Sequence, residues 1–339
     1  MTRAAEGLLL VDKPSGMTSH DAVDVVRRSL GTRKVGHAGT LDPMATGLLV
    51  LGVGRATRLL RYLGDLPKTY AATGRLGEET DTLDADGEIV RTAPVDVSLA
   101  EVERACASLV GESMQTPPTY SAVKVGGRRL YEAARKGEVL EAPARPIRVD
   151  AVDVSLAEVE RACASLVGES MQTPPAYSAV KVGGRRLYEA ARKGEVLEAA
   201  ARPIRVDAFD VTAFDGRDVE VLIMCSGGTY VRVLVGDVGR ALGCGAHLVR
   251  LRRTAIGSFR VEDAHPPGAG TLEPVERAVE HLPGVRLDPE EARAASHGRP
   301  LGPAGVVGPY AVFDPDNALV GIYQDEGAMA VPQVILSGL

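Results

Sequence analysis

Residues 96–152 recur as 153–209, an offset of 57, with three substitutions between the copies: Thr119/Ala176, Pro143/Ala200 and Val152/Phe209. Nothing else in the chain restricts its fold so strongly. Every helix or strand written in the first copy is written again in the second, so a core with room for one must choose. Solenoid repeats drift apart and occur in larger numbers. Two near-identical copies are a recent duplication or a sequence-assembly error, not a repeat architecture.

Each copy reads as helix, basic loop, short helix, strand. Ser98 and Glu101 form a capping box, after which Leu99, Val102, Cys106 and Leu109 share one helical face; Ser155 and Glu158 repeat the signal. Pro117 to Lys124 then leads into a Gly126-Gly127 turn, Leu130 to Lys136 reads as a short helix stopped by Gly137, and Ile147, Val149 and Ala151 alternate as a half-buried strand. Lys124, Arg128 and Arg129, repeated as Lys181, Arg185 and Arg186, make the loop basic, which suits either a solvated face or RNA contact. Helix 98–110 is joined to the upstream chain and strand 203–211 to the downstream chain. That pair is therefore expected in the core, with the surplus of about 127–187 protruding as a loop insertion and helix 155–167 only partly covered.

At 339 residues and 45% hydrophobic, the chain can bury a full core and has room for about two domains. Neither a charged leader before an apolar stretch nor a run of ~18 apolar residues is present, so no membrane association is expected. Scattered cysteines without a Cys/His cluster predict no metal and fit a reducing cytoplasm. A net charge of −6 argues against a uniformly basic nucleic-acid binder but allows local basic faces. Arginine far outnumbers lysine, which suits bidentate phosphate contacts.

The segment Gly36-His37-Ala38-Gly39-Thr40-Leu41-Asp42-Pro43-Met44-Ala45-Thr46-Gly47 carries the clearest chemistry. Pro43 biases Asp42 toward extended backbone, and the glycines permit tight bends and close approach of a ligand. The loop lies between a helix expected over Thr18 to Leu30, capped by Thr18 and Asp21 and stopped by Gly31, and the apolar run Leu48 to Val53. Taken alone, it also reads as an Asp-Pro turn with a solvated histidine. Strands are expected at Leu8 to Val11, at Thr69 to Leu76 bearing Tyr70, and at Val219 to Ile223. A helix begins near Tyr230, where Arg232 would suit a carboxylate partner or be an ordinary surface residue. Asp84-Ala85-Asp86-Gly87 lacks the outer ligands of a calcium loop and reads as a turn. Gly52-x-Gly54 lacks the spacing of a dinucleotide fingerprint. Arg250 to Arg253 puts basic groups on a strand-like segment, Pro266 to Gly270 is a joint, a short helix ends near Leu282, and the tail from about 284 reads as a small β-rich unit.

These segments together resemble the bacterial tRNA pseudouridine-55 synthases. The resemblance runs in order over about residues 7–260 and rests on several stretches. These are Asp12-Lys13-Pro14-Ser15-Gly16, Gly36 to Gly47, Lys68-Thr69-Tyr70, Asp81 to Gly87, Tyr120 to Lys124, Gly228-Thr229-Tyr230-Val231-Arg232, and Leu242 to His247 with Leu251-Arg252-Arg253. It implies an α+β fold with a mixed, largely antiparallel central sheet flanked by helices, a catalytic domain over 1–283, and a PUA-like RNA-binding domain over 284–339. The family carries one copy of the 57-residue unit where this chain carries two.

By the same resemblance the chain is an isomerase that converts uridine 55 in the T-arm loop of tRNA to pseudouridine, without cofactor, as a cytoplasmic monomer. Asp42 would be the essential carboxylate, either attacking the sugar or drawing off its 2′ proton, with Arg232 aiming it. Tyr70 would stack on the base and remove the C5 proton. His37, Tyr230, Lys13 and Leu251 would bind the flipped nucleotide, and Lys124, Arg128, Arg129, Lys181, Arg185 and Arg186 would grip the RNA stem as a thumb. A guide-RNA-dependent synthase shares the Asp42 loop but would lack the Tyr120 to Lys124 segment. A non-catalytic tRNA-folding factor would use the same surfaces without Asp42.

Overall fold

The computed structural model describes residues 5–115, 124–125, 128–129, 145–149, 170–171, 181–182, 185–186 and 204–336. Side chains are described up to residue 110 and from 205 onward. In chain order the first elements are β1 (Gly7–Lys13), α1 (Ser19–Ser29), β2 (Val35–His37), β3 (Thr46–Val53), α2 (Leu60–Gly64), β4 (Lys68–Leu76), β5 (Glu78–Thr80) and β6 (Ile89–Thr92). The duplicated span contributes α3 (Leu99–Ala107), β7 (Gly111–Gln115), β8 (Lys124–Val125), β9 (Arg128–Arg129), β10 (Arg145–Val149), β11 (Ser170–Met171), β12 (Lys181–Val182), β13 (Arg185–Arg186) and the start of β14 (Ile204–Phe214). There follow β15 (Asp218–Cys225), α4 (Val231–Ala241), β16 (Ala246–Ile256), β17 (Phe259–Arg260), β18 (Gly284–Arg286), α5 (Pro289–Ser296), β19 (Pro309–Phe313), β20 (Leu319–Glu326) and β21 (Met329–Ile335). Among the described residues no helix is long and apolar enough to cross a membrane.

One mixed sheet organises most of the molecule, in the order β1-β3-β16-β4-β15-β14-β10-β7-β11, with β2 added to β3 and β17 to β16. Most neighbours are antiparallel; β16 with β3, β10 with β14 and β11 with β7 are parallel. β3 shows why its sequence is a continuous apolar run. Leu48 and Val50 pack into one cluster while Leu49, Leu51 and Val53 pack into another, so the strand is covered on both faces. α1 lies on the second of these through Ala22, Val23 and Val26. Thr18 caps it, accepting from the Asp21 backbone N–H while the Asp21 carboxylate accepts in return, an arrangement worth about 1 kcal/mol.

Helices α3 and α4 cover the face of the sheet that carries Tyr70, Ala72 and Leu76 on β4 and Val219, Val221 and Ile223 on β15. The first copy supplies the helix, with Val102, Ala105 and Cys106 buried, and the second supplies strand β14, with Val206, Ala208 and Phe209 buried beneath it. At the far side of β14 the copies converge. Ser113 on β7 is in register with Ile147, with Ile204 and with Ser170, although a strand residue has only two edges. Ile147 also stands beside Ile204, its own counterpart. The basic positions lie on two short antiparallel strand pairs, Lys124 opposite Arg129 and Lys181 opposite Arg186. The turn at 126–127 and the helices expected over 130–136 and 155–167 lie outside the described residues, as do the side chains of Lys124, Arg128, Arg129, Lys181, Arg185 and Arg186.

The tail forms a four-stranded sheet in the order β18-β19-β20-β21 under α5, whose first turn is capped by Asp288 with Glu291. It has a cluster of its own around Tyr310, Val320 and Tyr323, and a second apolar seam in which Leu319, Ile322, Val334 and Leu336 join Leu63, Ala278 and Val279. Arg55, Arg58 and Arg61, spaced at three, donate to the carbonyls of Leu336, Ile335 and Gln333 along that seam. The segment ending near Leu282 is a short 3-10 helix, Val275–Val279.

Candidate active site

The loop bearing Asp42 is fixed from several directions by residues far away in sequence. The Ser19 hydroxyl, at the start of α1, donates to the Leu41 carbonyl at 3.1 Å and accepts from the Leu41 N–H at 2.8 Å. The Gly16 N–H donates to the Pro43 carbonyl at 2.9 Å, and the Ser15 hydroxyl to that of Met44 at 3.2 Å. From the other side, Arg253 on β16 donates to the Gly39 carbonyl at 3.1 Å and to that of Leu48 at 2.8 Å. Gly47 closes the loop with φ +100°, and a Cβ there would stand 2.3 Å from the Arg253 carbonyl oxygen, so only glycine fits. The Asp12 to Gly16 segment is thus the socket of the Asp42 loop.

Lys13, expected at the substrate, lies against the Asp42 loop. It is fully buried, and its ammonium donates to the carbonyls of Pro14, Met17 and Pro43, so its three protons are committed to bracing the loop. Burial lowers it to about 8, against the opposing pull of Asp42. Asp12, its neighbour, makes a bidentate ion pair with Arg252 at 3.0 and 2.8 Å.

Arg232 sits just inside α4, whose flanking residue Tyr230 is the cap position, and the guanidinium is buried between two carboxylates. One arm reaches Asp42 at 3.5 Å and the other reaches Asp84 at 3.1 Å. Asp84 is the functional residue that sequence reasoning missed, because its segment looks like a turn. It is buried, accepts from the Thr82 hydroxyl at 2.6 Å and the Asp86 N–H at 3.2 Å, and follows Leu83, whose φ of +62° is unusual for a branched side chain. Its only signal in the sequence was its place in Asp81 to Gly87, one of the stretches that carry the resemblance, and nothing there tied it to Arg232. Burial pushes Asp42 above its ordinary value; Arg232 opposes this, and the charges of Asp84 and Asp86 reinforce it. Burial likewise pushes Asp86 up, and Asp84 adds to the shift.

Tyr70 is buried on β4, in register with Ile223 on one side and Arg253 on the other. Burial raises its phenol; the charge and hydrogen bond of Arg253 pull it down, while Cys225 and Asp42 raise it. Leu251, opposite Ala72, packs into the same apolar cluster as Leu41 and Tyr70. The Tyr230 ring lies 6.0 Å from the Arg232 guanidinium carbon, at the outer limit of a cation–π contact. His37 lies on β2, opposite Leu51 and half-buried. Among the described residues no cluster of histidine, cysteine and acidic side chains could hold a metal ion. The arrangement sets one carboxylate, held by a buried guanidinium, on a braced loop whose Leu41 shares an apolar cluster with Tyr70.

Comparison with known proteins gives a consistent picture. The profile described as "TruB family pseudouridylate synthase (N terminal domain)" matches residues 27–156 and again 150–231, as a doubled segment would. Residues 232–281 match "tRNA pseudouridylate synthase B C-terminal domain" and residues 282–336 match "tRNA Pseudouridine synthase II, C terminal". A tRNA pseudouridine synthase B of Mycobacterium sp. (strain KMS) is 41% identical over 329 residues, covering 94% of this chain and 92% of the relative. One of Thermobifida fusca is 39% identical over 347 residues, covering 98% and 99%. Among solved structures, a Cbf5-Nop10-Gar1 complex aligns with a TM-score of 0.63 at 23% identity, over 98% of this chain and 85% of the other. An H/ACA RNP bound to a substrate RNA containing 2′-deoxyuridine aligns with a TM-score of 0.60 at 20% identity, over 97% and 84%. These two likenesses bear on the fold.

Proposed function

The chain belongs to the TruB family of pseudouridylate synthases, and from that premise we propose that Asp42 is the carboxylate through which it works. The family membership makes the protein an isomerase that converts uridine in tRNA to pseudouridine. The target in this reading is the uridine at position 55, inside the T-arm loop, which must be turned out of its stack at a cost of a few kcal/mol. Asp42 attacks the sugar or takes its 2′ proton, Arg232 aims it, Tyr70 stacks on the uracil and serves as the base at C5, and Tyr230 and Leu251 complete the pocket. His37 helps to hold the opened loop. No cofactor enters, and the protein acts as a monomer in the cytoplasm. Residues 1–283 form the catalytic domain and 284–339 a PUA-like domain. Lys124, Arg128, Arg129, Lys181, Arg185 and Arg186 grip the stem through its phosphates.

The observation that carries this reading is the buried Arg232 of α4, held between Asp84 and Asp42, whose loop is braced from both sides. Asp42→Asn tests it, because it keeps the shape and removes the charge. With the unsubstituted chain active on a T-arm stem-loop, the variant should bind that RNA with unchanged affinity and form no pseudouridine. Measurable turnover by the variant would remove Asp42 from the chemistry. Binding without turnover by the unsubstituted chain would favour an RNA-folding role for a protein with a doubled segment.

A further inference from the structure

Arg253 is the second arginine buried in this site, and its surroundings differ from those of Arg232. It is 1% exposed, yet among the described residues no carboxylate pairs with it; it donates to the carbonyls of Leu48 and Gly39. A guanidinium cannot shed its proton, so the fold keeps a permanent positive charge out of water without a counter-ion. Such a group is expensive unless a negative charge forms beside it.

The register shows where that charge would form. Arg253 on β16 lies directly opposite Tyr70 on β4, and directly opposed residues of an antiparallel pair project from the same face with Cβ atoms about 5 Å apart. On its other side Tyr70 faces Ile223, so one neighbour is apolar and the other cationic. The groups that act on the phenol are Arg253 from β16, Cys225 from β15 and Asp42 from the loop. Of these only Arg253 favours the ionised form. Lys13 adds to the positive charge around Arg253.

We infer that Arg253 is the positioning residue for Tyr70, holding the phenol oxygen with its guanidinium and supplying the buried charge against which a phenolate forms. The inference rests on Tyr70 being the base at C5. Once C5 is joined to the sugar, the C5–H bond breaks and its proton passes to the phenolate oxygen. The released pair forms C5=C6, the C6=N1 pair moves onto N1, and N1 takes up a proton. Over one turnover the proton that the phenol first releases to solvent balances the one that N1 gains. Asp42 opposes ionisation of Tyr70 while it carries its own charge, and loses that charge whether it bonds to the sugar or takes the 2′ proton. The phenolate therefore forms more readily after the carboxylate has acted, which orders the two steps.

Two measurements on the full chain test this. In the RNA-free protein, the absorbance of tyrosinate is followed with pH, and a Tyr70→Phe chain is subtracted to isolate the Tyr70 signal. Arg253→Gln should move its midpoint up, and Arg253→Lys should restore part of the shift. In single turnovers on saturating T-arm RNA, Arg253→Gln should be slowed about 100-fold at neutral pH. The loss should shrink as pH rises, and the isotope effect from deuterium at uracil C5 should grow. A Tyr70 midpoint unmoved by either substitution, or a loss of rate independent of pH, would leave Arg253 as a brace of the loop and overturn the inference. If Arg253→Gln does not fold, Arg253→Lys alone decides by the same two readings. A Tyr70→Phe chain with full turnover would remove the base assignment instead, whatever the midpoints do.

Discussion

The Asp42 loop and the duplicated span are held in place by opposite kinds of constraint. Around Asp42 each contact has one possible partner. Ser19 meets Leu41, Gly16 meets Pro43, Arg253 meets Gly39, and Arg232 meets Asp42 and Asp84. The neutral bonds among these net about 1 kcal/mol each and the charge-assisted pairs of Arg232 about twice that, and all of these residues lie outside the duplicated span. In the duplicated span the contacts are of the same chemical kind and every partner exists twice. Ser113 therefore registers with both Ile147 and Ile204, the same position of the unit. What fixes a segment is the uniqueness of its partners. Where the sequence repeats, covalent connection to the rest of the chain decides, and α3 of the first copy and β14 of the second hold the core because they adjoin native neighbours.

The largest test of this contrast is Asp84→Asn. A unique partner cannot be replaced, so Arg232 would keep only the longer contact to Asp42, and turnover on tRNA should fall by about 10²–10³-fold. Affinity for the RNA should stay within a few fold. A variant with normal turnover would make Asp84 a structural passenger and Asp42 alone sufficient to place Arg232.

Deleting residues 116–172 approaches the contrast from the other side. The deletion removes one period, joins Gln115 to Thr173 as each copy already joins Gln to Thr, and leaves α3, β7 and β14 intact. With Ile147 gone, Ser113 has one claimant for that edge. Each kcal/mol gained would raise the melting temperature by about 2–4 °C, and activity should rise with it. An unchanged or lower melting temperature would show that the second claimant contributes to the sheet. A smaller version is Phe209→Val, which makes the strand of the second copy match Val152 in the first. Phe209 is buried between α3 and the sheet, so the change should cost about 1–3 kcal/mol and speed proteolysis within 204–214. A neutral result would mean that connectivity alone, without the larger side chain, selects the strand.

The same contrast explains what could be read in advance. Local signals are complete within a few residues, and so the capping boxes at Thr18–Asp21 and Ser98–Glu101, the apolar run of β3 and the stop at Gly31 were all legible. Asp84 was read as a turn because its ion-pair partner lies 148 residues away. Lys13 was placed at the substrate by the resemblance; that it also donates to three carbonyls could not be read, because backbone acceptors carry no sequence signature. Arg253 was one of several basic residues on a strand until the register set it opposite Tyr70. In the duplicated span helix 98–110 and strand 203–211 were legible and placed by connectivity, whereas β7 was not expected and the helices over 130–136 and 155–167 lie outside the described residues.

The smallest expected effect concerns what the loop costs the fold. Burial raises Asp42, so the folded chain holds its proton more tightly than the unfolded chain does. A group shifted this way stabilises the fold fully below its ordinary value of 3.8, and the contribution is lost as pH rises through the raised folded value. Above that value the ionised carboxylate is therefore kept in the site at a cost, which Arg232 offsets in part. Asp42→Asn removes that cost, and Asp84 remains on Arg232 so the guanidinium keeps a partner. The inactive variant should melt about 1–3 °C above the parent at neutral pH. Its advantage should shrink as pH falls toward the ordinary carboxylate range, where the parent is protonated too. Melting curves of both proteins across that range read the difference directly. A variant less stable than the parent at neutral pH would mean that the attraction of Arg232 outweighs burial. The loop would then be held by its charges as well as by its unique backbone contacts, and the contrast with the duplicated span would be larger than the hydrogen bonds alone imply.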